Sequence, residues 1–425
     1  MADDGTKMNR QSVKAYRTGA GLVTVFVFAF VGLYIGIPSH SDMRYEANGM
    51  GTSSAAQIDV VEASEPEGRK ATYVATPDAV RGIYMTSCVA GSKSLRDNLV
   101  KLVDETELNT IVIDVKSYDG RITFDTGADI LQPAEGGGCF VKDMQDFIDE
   151  LHAKGIYVIA RLAVFQDTFM VKEKPEWAVK TQTSTTTVWR DHKGIPWIDA
   201  SAKPYWDYMV MLARETHAIG VDEIQFDYIR FPSDGNMKDI WYPWSGTNPK
   251  AEIMREFFSY LHEKLSPEGI VISADLFGMT TTNTDDLNIG QVLEYALPYF
   301  DYISPMVYPS HYPNNFYNLG DPNKNVYQVI KVSMDKAVAR TIATTTTVVF
   351  PDARIGTSTP ALYAKPSFDP KKLRPWLQDN NYPVPYTAEM VRAQIQATYD
   401  TGLDSWLLWN AGNRYTRAAL LTDGQ

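Results

Sequence analysis

Residues 221–233 read VDEIQFDYIRFPS, and this stretch decides the fold. Ile224 and Phe226 alternate with Gln225 and Asp227, the period-two pattern of a strand with one face in a core. Pro232 prevents clean continuation as a helix or an inner strand. The run therefore stops on a carboxylate, Asp227, followed by an aromatic and a basic residue. An acid at the carboxyl end of a buried strand is costly to desolvate, so it usually has a task. In a (β/α)-barrel that end of the strands carries the catalytic groups.

The rest of the 425-residue chain builds outward from this strand. Strand-like runs are expected at 81–87, 109–117, 155–165, 222–228, 269–278, 300–309, 372–379 and 404–412. Helix-like runs fall between them at 93–104, 140–154, 204–219, 251–265, 289–297, 326–340 and 388–401. Gly155, Gly220 and Gly402 follow three of those helices as stops. The strand at 372–379 is the weakest, with Pro375 inside it. Residues 341–371, Thr-rich and then Pro-spaced, read as an insertion. Eight strands alternating with helices predict an α/β (β/α)8 TIM barrel over 78–425. A doubly wound sheet is the alternative, but no Gly-rich phosphate loop follows any strand.

The amino terminus reads differently. No charge falls between Arg17 and Asp42, and 20–37 is a mostly apolar run just long enough to span a bilayer. Lys7, Arg10, Lys14 and Arg17 precede it, which keeps 1–19 cytoplasmic and makes 20–37 a transmembrane signal anchor. A cleaved signal peptide is the competing reading, with only a weak small-residue site at Ser39 and Ser41. Residues 38–77 have the composition of a flexible linker. The barrel is then expected outside the cytoplasm, at the cell membrane, or secreted if the leader is cut.

The net charge of −12, with no basic run, argues against nucleic acid as a partner. Six histidines form no H-x-x-x-H or H-E-x-x-H pair, and the two cysteines form no C-x-x-C, so neither a metal nor another cofactor is expected. Spacing alone leaves Cys88 and Cys139 open between a bridge and two unrelated thiols. Neither Ser87 nor Ser310 sits in G-x-S-x-G, so acyl transfer has no support.

Polar residues gather at the strand ends instead. Asp114 and Lys116 close the second strand, Arg161 lies in the third, and Asp227 with Arg230 closes the fourth. Asp275 closes the fifth. Tyr308 and His311 follow the sixth, Trp376 and Asp379 end the seventh, and Trp409 with Asn410 ends the eighth. A barrel brings these onto one rim. Paired carboxylates suit glycosidic cleavage, where one donates a proton and the other attacks carbon or activates water. Asp227 is the candidate nucleophile or base and Asp275 the candidate acid, although those roles could be exchanged. Asp114 would orient or tune them, and Asp379 would hold a hydroxyl or act as a third carboxylate. Aromatics stack on sugar faces while Asn, Lys and Arg grip hydroxyls. A chitinase-type strand would read D-x-x-D-x-D-x-E, and Gln225 and Ile229 replace two of its acids.

Seven ordered motifs, RGIYMTS, YVIARLAVFQD, DEIQFDYIRFPSDG, SADLFG, DYISPMVYPSHY, LRPWLQD and SWLLWNAGNRYT, together resemble the glycoside hydrolases catalogued as domain of unknown function 4015. The resemblance covers about 81–416. It implies a TIM barrel of the glycosidase superfamily, usually exported, with Asp227 in FDYIRFP and Asp275 in SADLFG as active-site acids. Three features depart from the family pattern: Cys88, Cys139 at the opening of the helix after the second strand, and the length of the 341–371 insertion, expected on the bottom side away from the cleft. In such a barrel the loops after the first two strands are neighbours, which favours a Cys88–Cys139 bridge. The expected function is a membrane-anchored, extracytoplasmic glycoside hydrolase acting on polysaccharide or oligosaccharide. The alternative is a carbohydrate-binding barrel without catalysis.

Overall fold

The computed structural model describes residues 70–350 and 353–422. The expected anchor at 20–37 and the tail before it lie outside the described residues. Among the described residues, no helix is long and apolar enough to cross a membrane.

Eight parallel strands close into a barrel: β1 Arg81–Met85, β2 Thr110–Lys116, β3 Tyr157–Ala163, β4 Glu223–Asp227, β5 Val271–Phe277, β6 Tyr302–Met306, β7 Trp376–Gln378 and β8 Trp406–Trp409. They follow chain order around the ring, β8 pairing back onto β1. Helices α1 Lys93–Asp104, α2 Met144–His152, α3 Lys203–Ala218, α4 Lys250–Leu265, α5 Leu293–Ala296, α6 Val326–Ile342 and α7 Ala388–Tyr399 separate them. Gly155 (φ +71°) and Gly402 (φ +83°) take the left-handed turn that ends α2 and α7.

Alternation along the strands sorts the side chains. Ile224 and Phe226 of β4 face outward into the main apolar core, with Val158, Ala160 and Leu162 of β3 and Ile272, Ala274 and Leu276 of β5. The inward series of β4 is Glu223, Gln225 and Asp227, an acid, an amide and an acid climbing the barrel axis. At the bottom, the Arg374 guanidinium donates to Glu223 Oε2 (2.7 Å) and lies over the Tyr302 ring, while Tyr157 Oη also donates to Glu223 (3.0 Å). Above them a smaller apolar layer includes Val112, Ile159, Trp376 and Leu407.

Two local departures have physical causes. β7 pairs with β6 through Trp376 and Met306 alone, because Pro375 has no N–H to continue the ladder from the Leu373–Ile303 bridge. In β2 the register slips by one residue between Asp114 and Lys116. A bulge of this kind breaks the period-two alternation, and Lys116 pairs beside outward-facing Leu162.

Residues 72–76, within the stretch expected as linker, make specific contacts with the barrel. Thr72 Oγ1 bonds Asp149 and His152, Tyr73 stacks on His217, the Val74 amide donates to Asp222, and Thr76 meets the Tyr157 hydroxyl. Residues 72–76 therefore close the amino-terminal end of the barrel. The insertion carries a small antiparallel sheet of Thr345–Thr346, Leu362–Ala364 and Arg354–Ile355. It does not stay below the barrel: Val348 packs with Val292 and Tyr295 beside Ala251 at the start of α4. None of its described residues lines the central cleft.

Cys88, just after β1, and Cys139, in the loop after β2, form a disulfide with Cα atoms 4.3 Å apart and a sequence separation of 51. Closing a loop of that size stabilises a fold by about 4 kcal/mol in the chain-entropy account. Replacing both cysteines by serine should lower the free energy of unfolding by about 3–4 kcal/mol, read from urea transitions. The variant should then show no further response to reductant.

Candidate active site

The cleft opens at the carboxyl ends of the strands, with a volume of about 240 Å³. Arg161, inward-facing on β3, sits beneath it and joins acids from three other strands. Its Nη1 donates to Asp114 Oδ1 at 2.6 Å, and its Nε donates to Asp227 Oδ2 at 3.0 Å. Nη2 gives Asp227 a second, short hydrogen bond. The same Nε lies 3.8 Å from Asp275 Oδ2. These four strands are consecutive around the barrel, so neighbouring registers bring the groups together.

Each acid is held differently. Asp114 accepts a second bond from Tyr84 Oη at 2.9 Å, and burial raises its pKa although Arg161 opposes the shift. Asp227 Oδ1 accepts from the amide of Tyr228 at 2.5 Å. Tyr228 takes a positive φ of 54°, an uncommon conformation for a bulky residue. Asp275 Oδ1 accepts from Trp376 Nε1 at 2.7 Å, whereas its Oδ2 is buried without a hydrogen-bond partner. Burial first, and the Asp227 charge second, push Asp275 well above the usual carboxylate range.

The walls are aromatic. Trp409 packs edge-on to Trp376 (5.7 Å between centroids) and close to Tyr84 (4.2 Å), and the Arg161 guanidinium lies 5.4 Å from its ring. Tyr308 and His311 stand 5.4 Å apart at the mouth, and Ser310 Oγ lies 3.0 Å from His311 Nδ1. Arg230 closes the remaining side, its guanidinium over Trp197 at 4.9 Å.

Of the residues singled out from the sequence, Asp227, Asp275, Arg161, Arg230, Tyr308, His311, Trp376 and Trp409 line the cleft, and Asp114 supports Arg161 from beside it. Three do not belong there. Lys116 is fully buried, donating to the Ala163 carbonyl and paired with Asp167 at 2.9 Å, because the β2 bulge turns it onto the outer face. Asp379 accepts Thr416 Oγ1 (2.6 Å) and the Thr416 amide (2.8 Å), and burial pushes its carboxyl up to about 6. Asn410 donates to the carbonyls of Asp379 and Arg414 and accepts from Gly412. Both brace the turn after β8 instead of meeting the cleft.

Tyr84, Tyr228, Phe277 and Met306 were not anticipated. Alternation along β1 would have turned Tyr84 inward, and Tyr228 directly follows Asp227. Phe277 and Met306 carry no polar signal that separates them from core residues. Among the described residues, no group of three or more His, Cys, Asp or Glu side chains is arranged to hold a metal ion.

The family model described as "Putative glycosyl hydrolase domain" matches residues 82–415. The chain belongs to this glycosyl hydrolase domain family. Family membership and the barrel together make it an enzyme of the glycoside hydrolase class. Among solved structures, the chain is similar to the glycoside hydrolase domain of PgaB (BpsB) from Bordetella bronchiseptica, at 13% identity and TM-score 0.53, covering 78% of this chain and 94% of that one. It is also similar to α-L-fucosidase isoenzyme 2 from Paenibacillus thiaminolyticus, at 12% identity and TM-score 0.52, covering 80% and 47%. At these identities the likeness is one of fold. A hypothetical protein from Ruminiclostridium thermocellum is 33% identical over 45% of this chain and 96% of its own, with TM-score 0.41. Among curated proteins no match is found.

Arg161 is the only basic side chain within ion-pair distance of Asp114, Asp227 and Asp275 among the described residues. Arg161→Met should therefore cost about 3–5 kcal/mol of stability at pH 7, as expected when one partner of a buried ionic group is removed. Part of that loss should be recovered near pH 5, where the carboxyls protonate more easily. Urea unfolding at the two pH values measures both effects.

Proposed function

We propose that this glycoside hydrolase cleaves a polysaccharide by a two-carboxylate mechanism, with Asp227 as nucleophile or base and Asp275 as proton donor. One observation carries the assignment: neighbouring carboxyls occupy opposite environments. Asp227 receives two N–H groups from Arg161, whereas Asp275 keeps one oxygen unbonded in a buried site that raises its pKa. Environments that drive two acids apart suit one to donate a proton and the other to act as the anion. Their Oδ2 atoms approach the same Nε at 3.0 and 3.8 Å, which caps their separation at about 6.8 Å. That limit favours the ~5–5.5 Å spacing of a retaining pair over most of the ~6.5–9.5 Å inverting range.

In this reading the aromatic walls grip a sugar ring, Asp275 protonates the departing oxygen, and Asp227 meets the anomeric carbon. The charge-flanked apolar run at 20–37 supports a membrane anchor, and the disulfide suits an oxidising compartment outside the cytoplasm. A second reading, a carbohydrate-binding barrel, is favoured by a single fact: Asp275 is 0% exposed. It predicts glycan capture without product and little dependence on Asp275.

The test is incubation of the full-length chain with a broad glycan panel, reading products by mass. Asp227→Asn and Asp275→Asn should each lower turnover by at least about 10²-fold while preserving the fold. Full turnover in both variants would remove the mechanism, and capture without product would select the binding barrel.

Stability adds a pH signature. The native state holds the Asp275 proton more tightly than the unfolded chain does. Its contribution is therefore complete below about pH 4 and is lost as pH rises through the raised native pKa. Asp275→Asn should flatten the decline of melting temperature with pH above that point, measured by thermal scans from pH 4 to 9.

A further inference from the structure

Arg230 has capacity that the two-carboxylate mechanism does not use. Nη1 donates to the Phe231 carbonyl (3.1 Å) and to Ser233 Oγ (3.2 Å), and among the described residues no hydrogen bond engages Nε or Nη2. No described carboxylate lies within ion-pair distance of it, unlike Arg161 and Arg374 at the barrel axis. The guanidinium is nonetheless fixed, over Trp197 at 4.9 Å and near the Tyr228 ring at 5.6 Å. Burial lowers its pKa, so its charge is partly stripped of water where it stands.

Its position is equally specific. A second cavity of about 520 Å³ adjoins the catalytic cleft, and Tyr228 and Arg230 form the wall common to both. That cavity holds Lys193, Asp191 and Asp234 as its other charged lining residues. Asp191 is already saturated: Oδ1 accepts the amides of Lys193 and Ile195, both at 2.9 Å, and Oδ2 accepts Trp197 Nε1 and Gln166 Nε2. Asp234 is partly exposed and faces His192 at 4.0 Å. On the wall between the two cavities, Arg230 therefore keeps uncommitted N–H groups, although the charges of Asp227, Asp234 and Asp191 also reach it.

We infer that the cavity beyond Arg230 is a subsite for a sugar that carries an anionic group, and that Arg230 recognises this group next to the ring being cleaved. The inference rests on reading the cleft as a glycan site, and it narrows the substrate to an acidic polysaccharide. A planar guanidinium held against an aromatic face, with Nε and Nη2 both unengaged, matches a carboxylate in a two-pronged contact. A carboxylate of a uronic acid and a sulfate ester offer the same chemistry.

Binding separates this inference from catalysis. The full-length chain is titrated by calorimetry with a glucuronate-containing tetrasaccharide, its carboxyl-reduced neutral counterpart, a sulfated tetrasaccharide and a glucosamine tetramer. The acidic ligand should bind about tenfold or more tightly than its reduced form, one charge-assisted contact's worth. Arg230→Met should abolish that preference, and Arg230→Lys, which keeps the charge but loses the fork, should retain only part of it. Preference for the uronate or for the sulfate identifies which anion is read. Equal affinity for the acidic and reduced forms, an unchanged preference in Arg230→Met, or tightest binding of the glucosamine tetramer would overturn the subsite. If Arg230→Met does not fold, Arg230→Lys decides. Arg230-dependent binding without any product would retain the subsite and reject the hydrolytic mechanism. Turnover of neutral glycans with no such preference would do the reverse.

Discussion

One guanidinium organises the upper half of this barrel. Arg161 connects β3 to Asp114 on β2 and Asp227 on β4, and it stands within 3.8 Å of Asp275 on β5. Charges removed from water are stabilised only when their partners are close and well aimed. The strand register supplies that closeness: Asp114 lies opposite Arg161, and Asp227 opposite Ala163, two residues further along the strand. The aromatic residues then pack around the cluster. Trp376 bonds Asp275, Tyr84 bonds Asp114, and Trp409 covers the cation.

The same strategy recurs at the opposite pole with different residues. Glu223 and Arg374 form a second buried ion pair, capped by Tyr157 and then by Thr76. Between the poles, Gln225 donates to Ser304 across the axis. The interior of this barrel is thus a polar column with one apolar layer, while the conventional hydrophobic core lies outside the strands, beneath the helices. Rigidity at the acids comes from both directions: ionic ties across the axis and packed helices behind the strands.

Much of this was legible in the sequence because the strands carry strong alternation and the helices carry clear stops. Eight strands and the helix at 93–104 lie where periodicity puts them. The placement of Asp227 and Asp275 at the cleft was legible because an acid closing an apolar run is unusual. Placement was not legible where one residue changes direction. Lys116 is two positions from Asp114, so simple alternation turns it inward, and nothing local announces the bulge that turns it away. Asp379 and Asn410 stand at strand ends as expected, but their partners Thr416 and Arg414 lie beyond the last strand and claim them. Residues 72–76 look like tether because their bonds are made one at a time to distant acids and hydroxyls, a pattern that leaves no periodicity. The Trp376–Asp275 bond joins residues 101 apart, and only the closed ring reveals it.

The bulge in β2 has an effect beyond the placement of one side chain. Without it, Lys116 would stand two residues above Asp114 on the same inner face, and the cluster would hold two cations. With it, Lys116 spends its charge on Asp167 in the outer layer. Three carboxyl groups are left to share a single guanidinium. Fully ionised, such a group carries a net charge of −2, so its burial favours proton uptake. That tendency is strongest at Asp275, which is fully buried and farthest from the guanidinium. One inserted residue on the second strand thus sets the charge balance felt by the acid on the fifth.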